Sequence, residues 1–248
     1  MKTPLTDFTI GLECGASDTT SGIAANPVLG WVSDRLVDAG NTVILSETTE
    51  LIGAEHVFMK RIPDHGMRMK FLNMVKKLED RINSVGVDIR GSQPTPGNIA
   101  GGLSSIEEKS LGNISKAGNS VVQDVIGYGE RTTKKGLVFM DTPGQDVESL
   151  TGMAAGGAHL FLFSTGRGSP IGFPIVPVIK ITANPTTFLR MRNDIDINVG
   201  TIIEGTETLD EAGNRVLSYV YHVCNGLLTK AEKNRYFEMS IYKDEITL

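Results

Sequence analysis

Cysteine is nearly absent: 248 residues contain only Cys14 and Cys224. Two thiols that far apart in sequence support no disulfide framework, and a reducing compartment, by default the cytoplasm, is expected. Long apolar runs are missing too. No uninterrupted stretch approaches the ~18 residues of a membrane span, and Met1-Lys2-Thr3-Pro4-Leu5-Thr6-Asp7 has no apolar core of a signal peptide, so no membrane partner is expected. Basic runs stop at Lys134-Lys135, and the net charge is −5, which leaves no electrostatic footprint for nucleic acid. A phosphate-binding lysine loop is lacking, and no G-x-G-x-x-G follows a strand, so no nucleotide cofactor is expected.

Hydrophobic residues make up 40% of the chain, enough to bury one large core, and residues 1–248 read as a single domain. Glycine is in excess: there are 28, clustered at 97–102, 152–157 and 166–172, and a site is sought there first.

Short β-rich runs alternate with longer amphipathic ones. This is the pattern of an α/β protein, a mostly parallel β-sheet with helices on both faces. Strands are expected at 8–12, 42–46, 136–140, 159–164 and 177–181, the last two so continuously apolar that both faces must be covered. Helices are expected at 25–39, stopped by Gly40, and at 67–85, 103–117 and 209–226, the last opened by a Thr208/Glu211 capping box. The Pro/Gly-rich stretch 92–102 reads as loop.

In an open parallel sheet ligands bind beyond the carboxyl ends of the strands. Four such ends are polar here: Glu13-Cys14-Gly15-Ala16-Ser17-Asp18, Glu47-Thr48-Thr49-Glu50, Asp141-Thr142-Pro143-Gly144 and Ser164-Thr165-Gly166-Arg167-Gly168-Ser169. Glu47, Glu50, Glu55 and His56 lie within ten residues, and carboxylates with an imidazole suit a divalent metal; acids at a solvated helix start are an equal alternative. Cys14 is a ligand or thiol candidate, although a lone cysteine is more often a small buried hydrophobe. Gly166 and Gly168 leave backbone N–H groups open to an anion, while Arg167 offers a fork for a carboxylate. Asn98 follows Pro96-Gly97 in a second segment suited to an anion. Lys180, inside an apolar run, is a candidate base or the member of a structural ion pair. Asp194, Asp196 and Asn198 alternate along an extended segment as oxygen ligands do, without the glycine and final glutamate of an EF-hand.

These segments, together with Ser21-Gly22-Ile23-Ala24-Ala25-Asn26-Pro27, recur in order over nearly the whole chain and resemble the C-terminal region of the altronate/galactarate dehydratase family, which also includes a sulfolactate sulfo-lyase subunit. The resemblance implies a Rossmann-like variant and metal-dependent loss of water from a sugar acid, with Fe²⁺ the expected ion and Mn²⁺ or Ca²⁺ the alternatives. For that reaction Glu47, Glu50 and His56 are expected among the metal ligands, and Lys180 or one of the acids, Glu50 or Asp141, in catalysis. Cys14, Ser17, Asn98, Thr165, Gly166, Arg167, Gly168, Asp196 and Asn198 would contact substrate. Full-length members carry an N-terminal β-clip and a central dimerising domain, so the resemblance makes this chain a fragment or a subunit needing a partner, with a homodimer among the outcomes. Sulfite elimination, a non-catalytic scaffold and a nicotinamide-dependent oxidoreductase are the rival readings. Val199 stands where many members have a cysteine.

Overall fold

The computed structural model describes residues 7–242. Seven strands, β1 (Thr9–Gly15), β2 (Thr42–Leu45), β3 (Val122–Ile126), β4 (Gly136–Met140), β5 (Leu160–Thr165), β6 (Val178–Thr182) and β7 (Ile197–Asn198), form one sheet in the order β3-β4-β2-β1-β5-β6-β7. Every pairing is parallel. The expected α/β class with a parallel sheet is what the chain adopts. From β1 the chain moves to β2 and builds that flank, then crosses to β5 on the other side. The gap between β1 and β5 is therefore the topological switch point.

Strand residues alternate between two cores. Ile10, Leu12, Val43, Leu45, Leu137, Phe139, Leu162, Ile179 and Ile181 join one, and Ile44, Val138, Met140, Phe161, Phe163 and Val178 join the other. Both faces are dry, which is why the runs read as uniformly apolar. The larger core is covered by α1 (Asn26–Asp38), α3 (His65–Ser84), α6 (Ile106–Ser115) and α9 (Leu209–Cys224), and the smaller by α7 (Asp146–Ala155) and α10 (Lys230–Asn234). Shorter helices are α2 (Glu55–Phe58), α4 (Ile89–Ser92), α5 (Pro96–Ala100) and α8 (Pro185–Arg190). Among the described residues no helix is long and apolar enough to cross a membrane.

Local signals explain the helix ends. Gly40, at φ 83°, sends its N–H to Val37 O and closes α1, and Thr208 and Glu211 form the reciprocal box at the start of α9. Stretch 92–102 departs from the expected loop. Thr95 accepts a bond from Asn98 N, Pro96 takes the first helical position where its missing N–H costs nothing, and a turn of helix results. A π-helical turn, Ser21–Ala25, precedes α1 at the switch point, a placement often associated with function.

Helix α1 crosses the end of α6 at Gly30, where an added Cβ would strike Ser115 O and come within 2.9 Å of Gly118 N. Gly30→Ala is expected to destabilise the chain by about 1–3 kcal/mol, the usual range for overpacking. A lower urea midpoint at unchanged m-value is the readout; an unchanged midpoint would show that the two helices can separate freely.

Candidate active site

Strand β1 ends at the switch point and β2 ends beside it, and both leave through left-handed turns. Ala16 has φ 52° and Glu47 φ 71°. Such conformations cost of order 1–3 kcal/mol in a side-chain-bearing residue and persist only where surroundings enforce them. For Glu47 the surroundings are explicit. Its N–H donates to Thr142 Oγ1 at 2.8 Å, Thr48 N–H donates to Thr142 O at 3.0 Å, and Thr48 Oγ1 donates to Asp141 Oδ1 at 2.5 Å. The end of β4 thus holds the turn after β2, and Asp141 acts on that turn.

The turn buries Glu47 against β1 and α6. Its Oε2 accepts from Cys14 N at 3.2 Å and pairs with the Lys116 ammonium, with both side chains fully shielded from water. Glu50 follows on the 3-10 turn Thr48–Leu51. Its Oε2 lies 3.6 Å from Cys14 Sγ, and its Oε1 lies 2.8 Å from Lys109 Nζ. Cys14 Sγ also stands 4.0 Å from Glu47 Oε1, 3.7 Å from Asn113 Oδ1 and 3.8 Å from Ser17 Oγ. Glu13, fully buried one residue before Cys14, accepts from Ser149 Oγ on α7 and from Ser46 Oγ at 3.0 Å, and its carboxyl borders that of Glu47.

Burial sets the protonation of this cluster. Desolvation, then the charge of Glu47, holds the Glu13 and Glu50 carboxyls above the usual range, although Lys116 pulls Glu13 down and Lys109 pulls Glu50 down. The same two causes push the Cys14 thiol well up. For Lys116 burial acts downward, but Cys14, Glu47 and Glu13 outweigh it and raise the ammonium above its ordinary value. Asp146, at the start of α7, is raised to about 7 by burial first and by Glu47 and Glu50 next.

One ligand atom each from Cys14, Glu47 and Glu50 fall within 4.8 Å of one another. A thiolate with two carboxylates suits a borderline divalent ion such as Fe²⁺ better than hard, all-oxygen Ca²⁺. Asn113 Nδ2, buried beside the cluster, has no hydrogen-bond partner among the described residues. Buried polar atoms rarely remain so, and this one borders a donor set that fits a metal. A cleft of about 220 Å³ lined by Ser17, Asp18, Ser21, Gly22, Ile23 and Lys109 opens next to it.

Not every expected residue joins. His56 is exposed on α2 and takes no part in the cluster; the two residues after Glu50 carry the chain into the apolar core, and α2 then turns its polar side outward. Cys14, expected to contact substrate, sits instead in the donor set. Lys180 points into the other core, donates to Pro170 O at 2.8 Å and lies 5.2 Å from the Tyr236 ring. Burial lowers its pKa to about 8 against the pull of Asp196 and Asp194. Asp196 is held by Tyr219 Oη at 3.0 Å, Lys230 N at 2.9 Å and Lys180 N at 2.9 Å, and Asn198 caps Gly200 N at 2.9 Å. Both lie on or beside β7, three strands and so about 14 Å from β1. Asn98 donates to Ser17 O at 2.9 Å and so ties α5 to the loop after β1. Thr165 Oγ1 accepts from Gly168 N at 3.0 Å and shapes the turn that carries Gly166 and Arg167. Lys109, Asn113 and Lys116 are the residues that sequence reasoning passed over. Their i, i+4, i+7 spacing is a polar stripe on one side of α6, legible once one asks what a buried stripe of that kind would face.

An all-parallel sheet that gathers ionisable groups beyond its central strands, beside an open cleft, defines an α/β protein whose candidate site lies at the topological switch point. Comparison with known proteins identifies the kind: residues 5–247 match the family described as D-galactarate/Altronate dehydratase, C-terminal, and the chain belongs to that family. It is 38% identical over 244 residues to altronate dehydratase of Escherichia coli (strain K12), covering 98% of this chain and 49% of that protein. It is 38% identical over 223 residues to galactarate dehydratase (L-threo-forming) of the same organism, covering 90% of this chain and 42% of that one. The (2R)-sulfolactate sulfo-lyase subunit beta of Chromohalobacter salexigens is 40% identical over 230 residues, 92% of this chain and 59% of that subunit. The chain spans about half the length of the curated relatives it matches.

Two expectations follow from the electrostatics. Lys116→Met strands Glu47 in a dry site, and the loss is expected to be about 3–5 kcal/mol, with a partial return in the Lys116→Met/Glu47→Gln double variant; equal stability of the single variant and the parent would disprove the pairing. Asp146 keeps its proton in the folded chain up to about pH 7, whereas an unfolded aspartate loses it near pH ~4. The folded state then binds more protons across that window, and stability declines as pH rises through it. Urea midpoints of metal-free protein at pH 5 and pH 8 should differ less in Asp146→Asn than in the parent. An identical difference would remove Asp146 from the set of buried acids.

Proposed function

We propose that this chain is the metal-holding half of a sugar-acid hydro-lyase, which takes water from a 2,3-dihydroxy acid of the altronate or galactarate type and yields a 2-keto-3-deoxy acid. The observation that carries the reading is the convergence of Cys14, Glu47 and Glu50, with Lys109 between that cluster and an open cleft. Its kinship with sugar-acid dehydratases supports the substrate class.

Such an elimination is difficult at both ends. The C2 proton is weakly acidic, and hydroxide leaves poorly. A divalent ion on Cys14, Glu47 and Glu50, Fe²⁺ by preference, would supply Lewis acidity toward the carboxylate and hydroxyl oxygens of the substrate. The protons fall to the Glu50–Lys109 pair. Glu50 divides its oxygens, Oε2 toward Cys14 and Oε1 toward Lys109, so that one oxygen faces the donor set and the other is placed to exchange a proton with the ammonium. Glu50 Oε1 receives the C2 proton, and Lys109 delivers one to the departing C3 oxygen, which leaves as water. Transfer across the 2.8 Å pair restores both groups, and the enol product tautomerises to the keto acid. Asp141 serves by anchoring Thr48, next to Glu47, and Lys180 serves the second core rather than the reacting atoms. Domains or a subunit corresponding to the other half of the relatives would close the cleft and exclude water.

The sulfo-lyase relative, at 40% identity, supports a second reading with the same deprotonation and sulfite as the leaving group. Assays on altronate, galactarate and sulfolactate, with the other half supplied, separate the two. In the first reading the chelated chain takes up one Fe²⁺ or Mn²⁺ per molecule in anaerobic dialysis. Cys14→Ser and Glu47→Gln should each weaken that uptake by about 10–100-fold, the cost typical of perturbing a metal site. No uptake by the parent, or full turnover by either variant in the complete assembly, overturns it.

A further inference from the structure

Asn113 stands on α6 between Lys109 and Lys116 and is 1% exposed. Its polar atoms are almost unused. Among the described residues Nδ2 has no hydrogen-bond partner, and the one contact of Oδ1 is the weak one it accepts from Cys14 Sγ at 3.7 Å. A buried donor left without an acceptor costs stability, and an amide kept there in spite of that cost points to a ligand.

The amide is also firmly placed. Helix α6 is fastened on both sides of it, by Ser110 Oγ donating to Ile52 O at 2.7 Å and by Asn26 Nδ2 donating to Gly112 O at 2.9 Å. Gly112 packs on the π-helical turn so closely that an added Cβ would come within 3.4 Å of Gly22 Cα. Asn113 is therefore carried to the end of β1 by the docking of its helix.

Three oxygens surround the Cys14 sulfur at similar range: Glu50 Oε2 at 3.6 Å, Asn113 Oδ1 at 3.7 Å and Glu47 Oε1 at 4.0 Å. Sulfur and oxygen donors bound to one ion at ~2.3 and ~2.1 Å stand roughly 3.1 to 3.6 Å apart for bond angles between a right angle and the tetrahedral one. Asn113 fits that spacing as well as the two carboxylates do. Its charge fits too, because a neutral carbonyl adds a donor without adding a further anion to a dry compartment that already holds Glu13, Glu47 and Glu50. We propose that Asn113 Oδ1 is a fourth ligand of the divalent ion held by Cys14, Glu47 and Glu50. This rests on the metal-holding reading above and extends it to a residue outside the acid and thiol set. Iron(II) sites keep positions open beyond their protein donors, so the fourth ligand leaves room for substrate oxygens.

The test is a Co²⁺ titration of the chelated 248-residue chain, read by the thiolate-to-cobalt absorption that reports Cys14, beside urea unfolding of the same metal-free proteins. Asn113→Ala should take up Co²⁺ about tenfold or more weakly than the parent while the thiolate absorption at saturation persists. Asn113→Asp, which keeps an oxygen at the same reach, should hold the affinity within about threefold of the parent. Metal-free Asn113→Ala should unfold at a urea midpoint no lower than the parent's, since it loses an unsatisfied donor and gains helix propensity. A purely structural asparagine predicts the reverse, a lower midpoint and unchanged affinity, and that result overturns the proposal. Parent and Asn113→Ala chains that bind Co²⁺ equally, both with the thiolate absorption, also overturn it and leave the three-ligand site standing. A parent chain that takes up no Co²⁺ overturns the metal-holding reading itself, and the fourth ligand with it.

Discussion

The Lys116 ammonium, sealed from water against Glu47, is the interaction on which the rest of the site depends. Without it the ends of β1 and β2 would bring Glu13, Cys14, Glu47 and Glu50 into one dry compartment with Lys109 as the remaining cation, and like charges in low dielectric do not stay together. With it, Glu47 can occupy a left-handed turn, accept the Cys14 amide and leave Glu50 to pair with Lys109. Because Lys116 ends α6, the same bond ties that helix to the sheet. Pairing and packing are therefore one constraint.

That constraint costs stability. Carboxyls held above their usual range and a thiol held below its reactive state are poor choices for a scaffold, and buried ion pairs are seldom better than apolar packing. Groups of this kind cluster where reactivity is needed. The second core shows the contrast. Lys180 is equally unusual in an apolar setting, yet it and the half-buried Asp196 beside it are engaged by structural partners, Pro170 O for the one and Tyr219, Lys230 N and Lys180 N for the other.

Much of the fold could be read directly. Strands β1, β2, β4, β5 and β6 announced themselves as apolar runs, and α9 by its capping box. Several elements did not, β3 and α7 among them. In β3, Gln123 and Asp124 interrupt the apolar pattern because the strand lies at the sheet edge and meets solvent there, and α7 is rich in small residues, Ser149, Gly152, Ala154 and Ala155, with little amphipathic contrast. The helical turn α5 was hidden in a Pro/Gly-rich stretch because its formation rests on the Thr95/Asn98 box rather than on composition.

The linear chain by itself determined that polar, ionisable residues follow the strands, since the end of each apolar run is a local fact. It also determined that both sheet faces are covered. Which of those residues meet was decided by the tertiary structure alone. Sequence proximity grouped His56 with Glu47 and Glu50, but a chain that turns through the core separates near neighbours, while parallel pairing and the docking of α6 bring Cys14, Lys109 and Lys116 across 33 to 69 positions. Contacts of that range are set by topology, and no periodicity along the chain records them.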